Sequence, residues 1–174
     1  ADLCVVDMAG NQVRGRRKRT TEILVHLAIM QAQPLAKAVI HCHAPHGTAW
    51  AALPKTPPSD IFPEKEVWLG PIAVAPYRLT GTPALAEVVA PLARQHYVIL
   101  LANHGMIAIG RDLDAALRLA AEVEVLAEQY WRVLQVGGPK LLSDREIDVV
   151  LGKFEDYGRQ PGIDRSEEHT SELQ

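Results

Sequence analysis

The sequence predicts a single domain that mixes helices and β-strands, of either the α+β or the layered α/β/α type. Apolar, β-rich runs at residues 38–43, 97–102 and 106–109 predict buried strands. Segments with apolar residues at helical spacing lie between and after these runs, without the strict alternation of a parallel βαβ fold. The length of 174 residues fits one domain.

The first part of the chain predicts a hairpin, a basic loop and a helix. Residues 1–7 begin in mid-strand and residues 7–12 supply turn residues, so we expect that an N-terminal piece of the domain is missing. The basic run at residues 14–19 predicts a solvated loop rather than a polyanion site. A helix is predicted over residues 20–31, with Thr20 as its N-cap. Its predicted core-facing stripe comprises Ile23, Leu24, Leu27 and Met30.

Short elements are predicted in the middle of the chain. Residues 46–53 predict a short helix, and the four prolines within residues 54–63 predict a loop. Residues 67–74 predict one or two short strands around a Gly-Pro pair. A helix over about residues 83–94 has Thr82 as its predicted N-cap and a proline in its first turn.

Two strands and two helices are predicted in the second half. The turn Asn103-His104-Gly105 joins the strand at residues 97–102 to the strand at residues 106–109. Residues 112–136 have the period of a long amphipathic helix. The segment Ser143-Asp144-Arg145-Glu146 is a capping box that opens the last helix.

The last ten residues, 165–174, have no apolar period, and they back-translate into codons that match a common short-read sequencing adapter. We therefore predict that residues 1–164 form the domain and that residues 165–174 are a non-native tail to be excluded from fold reasoning. An ordinary disordered acidic tail is the alternative.

Composition narrows the class of protein. The chain is 48% hydrophobic and 22% charged with a net charge of −3, which favours neither nucleic acid nor a membrane as a partner. No apolar run approaches the roughly 20 residues that a membrane helix needs. Two cysteines do not make a disulfide framework. We therefore expect a cytoplasmic protein.

A pair of histidines closes the first predicted buried strand. His41 and His43 are two residues apart, so their rings leave the same face of the strand. Polar rings at the end of an apolar strand are costly unless they bind something, and the candidates are a divalent metal or backbone hydrogen bonds. A catalytic metal site uses three protein ligands, and His104 is the third candidate because Gly105 allows close backbone approach.

Glu22 lies in the first turn of a predicted helix, where the helix dipole stabilises a negative charge. The hydroxyls of Thr20 and Thr21, with the free N–H groups of the helix start, could hold a phosphate. Together with a metal, this set suits proton abstraction next to a carbonyl, with the metal as Lewis acid toward an enediolate. The alternative for Glu22 alone is a helix-capping acid.

Three further histidines have weaker assignments. His26 is predicted to share a helix face with Glu22. His46 is a candidate for a second shell around the metal, and His96 is expected to be exposed.

Several motifs, in this order, resemble the class II aldolase/adducin family over residues 1–160, and its L-fuculose-phosphate aldolase branch in particular. They are Thr20-Thr21-Glu22 with His26, residues 38–43, Ala75-Pro76-Tyr77 with Gly81-Thr82, and residues 100–105, 122–127, 142–147 and 153–158. The resemblance implies a three-layer α/β/α fold with a mixed central sheet flanked by helices.

The resemblance also implies roles for individual residues. It implies that three histidines bind zinc: His41, His43 and His104. It implies that Glu22 contacts zinc when substrate is absent and acts as acid and base, and that Thr20 and Thr21 hold the substrate phosphate. Tyr157 would match a tyrosine that reaches into the site of a neighbouring subunit. Members of this type are similar in being homotetramers with active sites at subunit interfaces.

The implied activity is that of a zinc-dependent aldolase. It would cleave a phosphorylated ketose similar to L-fuculose 1-phosphate into dihydroxyacetone phosphate and an aldehyde, through a metal-stabilised enediolate. The alternatives are another sugar-phosphate lyase, a dehydratase, a decarboxylase or an epimerase of the same family, or a non-catalytic adducin-like module.

Two departures from the family pattern bear on substrate and mechanism. Phe62 stands where the branch has a tyrosine acid, and Glu64 and Glu66 are nearby unassigned candidates. The epimerases carry a Thr-His-Ala-Asp type segment where this chain has residues 59–62, which disfavours an epimerase. The family's glycine-asparagine and threonine-glycine phosphate-binding segments would precede Ala1.

Overall fold

The computed structural model describes residues 3–53, 61–63 and 65–153. Tyr157, Glu64 and the tail at residues 165–174 lie outside the described residues, as does the side chain of Glu66. The roles assigned to Tyr157 and to the tail therefore stay predictions.

Six strands and five α-helices make up the described part of the chain. In chain order they are β1 (Val5–Val6), β2 (Gln12–Arg14), α1 (Ile23–Ala32), β3 (Ala38–Cys42), α2 (Pro45–Ala51), β4 (Ile72–Ala75), α3 (Pro83–Leu92), β5 (Val98–Leu101), β6 (Gly105–Gly110), α4 (Leu113–Gln135) and α5 (Asp144–Lys153).

The central sheet is mixed, with the strand order β3-β6-β5-β4. Strand β6 pairs antiparallel with both β3 and β5, whereas β4 and β5 are parallel and are joined through α3. Strands β1 and β2 form a separate antiparallel hairpin, as predicted.

Helices cover the sheet in two pairs, which gives the three layers. Helix α1 packs against α3. Of these two helices, α1 contacts β3 and α3 contacts β4. Helix α2 packs against α4, and these two lie on β3, β5 and β6. Every residue of β5 and β6 is buried, which explains why their sequences are apolar at each position instead of alternating. The predicted three-layer fold is confirmed.

Antiparallel pairing of β3 with β6 brings together the three histidines that were predicted to bind a metal. Cys42, the last residue of β3, pairs with Met106, so the chain beyond β3 runs beside the turn that leads into β6. That turn holds His104 and Gly105. Strand topology therefore brings His104 next to a histidine pair that lies about 60 residues earlier in the sequence.

The start and the core-facing side of α1 differ from the prediction. The helix begins at Ile23 with Glu22 as its N-cap residue, and Thr20 does not cap it; instead its hydroxyl accepts the Glu22 N–H at 3.2 Å. The buried positions include Val25 and Ile29 rather than Leu24 and Met30. Helix α1 is apolar nearly all round, so periodicity alone did not determine its core-facing side.

Residues 67–74 also differ in part from the predicted strands. Lys65–Leu69 form a π-helical turn that packs against α4 and α5, and the strand β4 begins only at Ile72. Gly70 has φ +65°, which breaks the chain direction between the two elements. Burial of Val67 and Leu69 in this turn overrides their β-propensity.

The long and the last helix begin as predicted. The carboxylate of Asp112 accepts the Ala115 N–H and caps α4. In the capping box, the Ser143 N–H donates to the Glu146 carboxylate at 2.8 Å. Across the described ranges, no helix combines the length and the apolar character needed to cross a bilayer.

Candidate metal centre

Three imidazole rings meet at the end of β3. Their possible ligand nitrogens all lie within 4.8 Å of one another. The ring centroids of His41, His43 and His104 are separated by 5.1, 4.8 and 4.9 Å, with interplanar angles of about 70°. The rings thus sit at the corners of a nearly equilateral triangle. The structure brings together the three residues that the sequence predicted as metal ligands.

The tautomer of His41 follows from its backbone partner. Its Nδ1 lies 3.0 Å from the Met106 carbonyl oxygen, which can only accept a hydrogen bond. Nδ1 therefore carries a proton, so Nε2 is the nitrogen that can present a lone pair to the centre of the cluster. A backbone hydrogen bond of this kind orients a metal-binding histidine and fixes which nitrogen can bind.

Glu22 reaches across the cluster from the start of α1. Its Oε2 lies 2.6 Å from Nε2 of His41, and its Oε1 lies 3.3 Å from Nε2 of His104. The Glu22 side chain is only 12% exposed. The carboxylate is therefore held against two of the three rings, as the predicted metal contact requires.

Two buried polar atoms of the cluster lack a hydrogen-bond partner among the described residues. They are Oε2 of Glu22 and Nδ1 of His104. Since Nε2 of neutral His41 and Oε2 of Glu22 are both acceptors, their 2.6 Å approach is repulsive unless a proton or a cation lies between them.

A divalent cation fits this donor set. Imidazole nitrogens suit zinc, copper, iron and nickel, and three histidines with a displaceable carboxylate match a catalytic site with an open position. Oε2 of Glu22, which lies among the rings, is also a buried acceptor that a cation would satisfy.

His104 is buried in the turn before β6, with a side chain 8% exposed. Burial lowers the pKa of its imidazole. The charge on Glu22 acts in the opposite direction, and the other two histidines lower the pKa further. The ring is therefore neutral at neutral pH, which is the form that binds metals.

Gly105 permits the close approach of the strand ends, as predicted. A Cβ atom at this position would lie 2.6 Å from Cδ2 of His43 and 2.8 Å from the Cys42 carbonyl oxygen. Asn103, two residues earlier, has φ +56°, and its N–H donates to the Ala51 carbonyl at 2.9 Å. The turn that carries His104 is thus fixed to α2.

The two threonines proposed for phosphate lie on the exposed segment just before Glu22. The hydroxyl of Thr20 accepts a hydrogen bond from the Glu22 N–H. A Cβ on Gly81, which has φ +72°, would lie 3.3 Å from the Thr21 carbonyl oxygen, so the turn that precedes α3 lies against this segment.

The structure also shows the surroundings of Phe62, His26 and His96. The Phe62 side chain packs, partly buried, against the hydrophobic core. His26 is close enough to His41 for the charge on that ring to lower its pKa, although burial is the larger cause. The exposed position predicted for His96 is wrong: the ring is partly buried and donates to the Pro71 carbonyl at 3.0 Å, because β5 begins beside the turn that precedes β4.

His46 is hydrogen-bonded to Glu124, a residue that the sequence analysis missed. Its Nδ1 lies 2.8 Å from Oε1 of Glu124, which projects from α4. A signal was available in the sequence: Ala120 and Ala127, one turn away on either side, are both buried, so the carboxylate lies on the apolar face of α4.

Most of this chain is similar in sequence to known proteins. A family model described as the Class II Aldolase and Adducin N-terminal domain matches residues 1–131. A 5-methylthioribulose-1-phosphate/5-deoxyribulose-1-phosphate aldolase from Rhodospirillum rubrum is 40% identical over 157 residues, which are 90% of this chain and 71% of that protein. An L-fuculose phosphate aldolase from Escherichia coli is 40% identical over 154 residues, 88% of this chain and 71% of that protein.

Solved structures show the same fold. The crystal structure of YgbL from Escherichia coli superposes with a TM-score of 0.79 at 28% identity, covering 86% of this chain and 73% of that one. An L-fuculose 1-phosphate aldolase superposes with a TM-score of 0.77 at 32% identity, covering 87% and 71%.

Proposed function

Because the chain belongs to the class II aldolase and adducin N-terminal domain family and is an enzyme of the class II aldolase type, we propose that it uses zinc to cleave a phosphorylated ketose into dihydroxyacetone phosphate and an aldehyde. The observation that carries the proposal is the convergence of three histidines on one point, with a buried carboxylate between two of them. A non-catalytic, adducin-like binding module would not require three converging histidines and a carboxylate between them.

The three histidines would hold the cation: His41, His43 and His104. When bound, the metal would supply Lewis-acid stabilisation of the negative charge that develops on the substrate oxygens. The side chains of Glu22 and His104 are largely buried, so little water screens such electrostatic effects on their side of the cluster.

Glu22 would move the proton. Cleavage removes the proton of the hydroxyl that becomes the aldehyde oxygen and leaves the electron pair of the broken carbon–carbon bond on the dihydroxyacetone phosphate half as an enediolate. The enediolate then takes up a proton at carbon from the protonated form of Glu22. The Glu22 carboxylate lies among the histidines at a helix start, so it is within the site and in reach of a substrate held there. In the reverse reaction the same carboxylate would remove that proton.

Thr20 and Thr21 would hold the substrate phosphate. Two residues of extended chain span at most about 7 Å, so the Cα atoms of Thr20 and Glu22 are no further apart than that. Both threonines are exposed, which leaves them accessible to a ligand.

The relatives support the proposed substrate class. They act on ketose phosphates with different aldehyde halves by name, L-fuculose phosphate in one and 5-methylthioribulose or 5-deoxyribulose 1-phosphate in another. We assign to this chain a ketose 1-phosphate similar to L-fuculose 1-phosphate. Since Phe62 has no proton to donate, another group must protonate the aldehyde oxygen, and the candidates are Glu64, Glu66 and Tyr157 of a neighbouring subunit. The same proposal includes a homotetramer with sites at subunit interfaces, in the cytoplasm.

Two variants of the full chain test the proposal. Glu22→Gln is expected to keep the metal but to slow exchange of the C3 proton of dihydroxyacetone phosphate by about 100-fold or more, the range of a lost general base. His104→Ala is expected to lose both metal and activity. Undiminished proton exchange in Glu22→Gln would refute its role as the base. Product analysis on a panel of ketose phosphates separates an aldolase from a dehydratase, a decarboxylase or an epimerase.

A further inference from the structure

A carboxylate from α4 closes the N-terminus of α2. The N–H of His46 lies 3.1 and 2.9 Å from the two carboxylate oxygens of Glu124, and the N–H of Gly47 donates to Oε2 at 2.9 Å. The Nδ1 of His46 adds a fourth hydrogen bond. We name this arrangement, Glu124 with the N–H groups and ring of residues 46 and 47, the α2 clamp. The first N–H groups of a helix lack partners within it, and here a side chain 77 residues away supplies them.

The clamp is joined to a proposed metal ligand by a short, stiff connection. Only Ala44 and Pro45 separate His43 from the clamped N–H of His46. Ala44 is extended, with φ −60° and ψ 133°, and the ring of Pro45 restricts the next φ angle. With so few soft torsions between them, the position of the His43 backbone depends on where the clamp holds α2.

The clamp also has a close contact with the strand that supports His41. A Cβ on Gly47 would lie 2.6 Å from the sulfur of Met106, so the start of α2 lies directly against β6. The carbonyl of the same Met106 accepts the Nδ1–H of His41. Met106 of the fully buried strand β6 therefore contacts both the ring of His41 and the start of the helix that follows His43.

Glu124 is suited to this task by its charge state. Partial burial by itself raises the pKa of Glu124. Hydrogen bonds from the N–H groups of Gly47 and His46 and from the His46 ring outweigh burial and hold the pKa below its ordinary value. The carboxylate is thus ionised at neutral pH and accepts strong, charge-assisted hydrogen bonds from the helix start.

We propose that Glu124 is a positioning residue that fixes the metal ligand His43 through the N-terminus of α2. The inference rests on the metal site proposed above and adds a residue that touches no ligand ring. A ligand held in place before the metal arrives loses less freedom on binding, so the clamp raises metal affinity by preorganisation. Loss of supporting groups around a metal typically weakens binding about 10–100-fold, and we expect Glu124→Gln to fall in this range.

The test is a metal titration of the full chain and two glutamine variants. Glu124→Gln keeps the size of the side chain but places amide hydrogens against the N–H groups of the clamp. Glu128→Gln is the matched control, because this residue lies one turn further along α4 and pairs with the exposed Arg132. The dissociation constant for Zn²⁺ is measured by competition with a chromophoric chelator. The visible spectrum of the Co²⁺-loaded protein reports the ligand geometry.

The expected result is an affinity about 10–100-fold weaker and a shifted Co²⁺ spectrum in Glu124→Gln, with both unchanged in Glu128→Gln. If Glu124 stabilised only the fold, Glu124→Gln would melt at a lower temperature without metal, yet its folded form would bind Zn²⁺ like the wild type. That outcome would overturn the inference alone. Absence of Zn²⁺ binding in the wild type would overturn the metal site and the inference together.

A second variant tests the connection itself. Ala44→Gly leaves every group of the clamp in place but frees the backbone between His46 and His43. Severalfold weaker Zn²⁺ binding is expected. Combined with Glu124→Gln, it should add little further loss, because both changes act through the same connection. Fully additive losses would show that the clamp does not act through residues 44–45.

Discussion

Replacing Gly105 with alanine is expected to displace the ring of His43 and to weaken metal binding. The new Cβ would lie 2.6 Å from Cδ2 of His43, whereas ordinary van der Waals contacts begin at 3.4 Å. The difference, about 0.8 Å, must be taken up by the ring or by the strands. Strand β6 is buried along its whole length and pairs with β3 in fixed register, so it cannot retreat. The exposed ring of His43 moves instead.

The size of the effect follows from this displacement. Functional constellations must be held within about 0.5 Å of the productive geometry, and a shift of about 0.8 Å exceeds that tolerance. We therefore expect the Zn²⁺ dissociation constant to rise at least about 10-fold, by analogy with lost ligand support. The contact with the Cys42 carbonyl, 2.8 Å from the new Cβ, adds overpacking that costs about 1–3 kcal/mol of the free energy of unfolding.

Chelator competition measures the affinity, and urea unfolding without metal measures the stability. Gly152→Ala is the matched control, because a Cβ on this glycine of α5 meets no atom within 4 Å. It is expected to leave metal binding unchanged and to stabilise the helix by about 0.5–1 kcal/mol. Wild-type affinity and stability in Gly105→Ala would refute the packing argument.

Two further predictions concern pH and the turn at Asn103. Without metal, the free energy of unfolding should fall as the pH falls below 6.5, the ordinary pKa of histidine: the folded-state pKa values of His26 and His104 are lowered, so the unfolded chain binds more protons. Urea unfolding at several pH values with chelator present checks this prediction. The free energy of unfolding should change by at most about 1.4 kcal/mol per pH unit for each histidine. If the same pH dependence remained in His26→Gln, the assignment to His26 would be contradicted. Asn103 has φ +56°, so Asn103→Val should cost about 1–2 kcal/mol and weaken Zn²⁺ binding, whereas Asn103→Gly should preserve both. Equal behaviour of the two variants in unfolding and zinc titrations would contradict the role of this backbone conformation.

The histidine pair could be predicted from sequence because its signal is local. The two-residue spacing of His41 and His43 determines their common face once a strand is assigned. His104 could be proposed as the third ligand because it lies in a turn between two predicted strands, beside Gly105. The antiparallel pairing of β3 with β6, which brings that turn to the end of β3, is long-range and is seen only in the structure.

The α2 clamp could not be predicted in the same way. Glu124 meets His46 across 78 residues, and neither residue lies in a local pattern that names the other. The acid on the apolar face of α4 was a visible anomaly, but its partner depends on how α2 packs against α4. The π-helical turn at Lys65–Leu69 was hidden for a related reason, because tertiary burial of Val67 and Leu69 overrode their β-propensity.

The two halves of the proposed reaction rest on parts of the fold with different rigidity. The proposed metal ligands His41 and His104 are supported by β6, whose residues are all buried, and by backbone hydrogen bonds. The proposed phosphate ligands Thr20 and Thr21 lie on an exposed segment outside regular structure. Substitutions in exposed segments are tolerated better than substitutions in a packed strand. Changes of substrate should therefore arise at residues 20–21, while the metal cluster and its clamp stay constant. Exchanging Thr21, whose hydroxyl does not hold Glu22, should accordingly change the Michaelis constant for the ketose phosphate and leave the Zn²⁺ affinity unaltered.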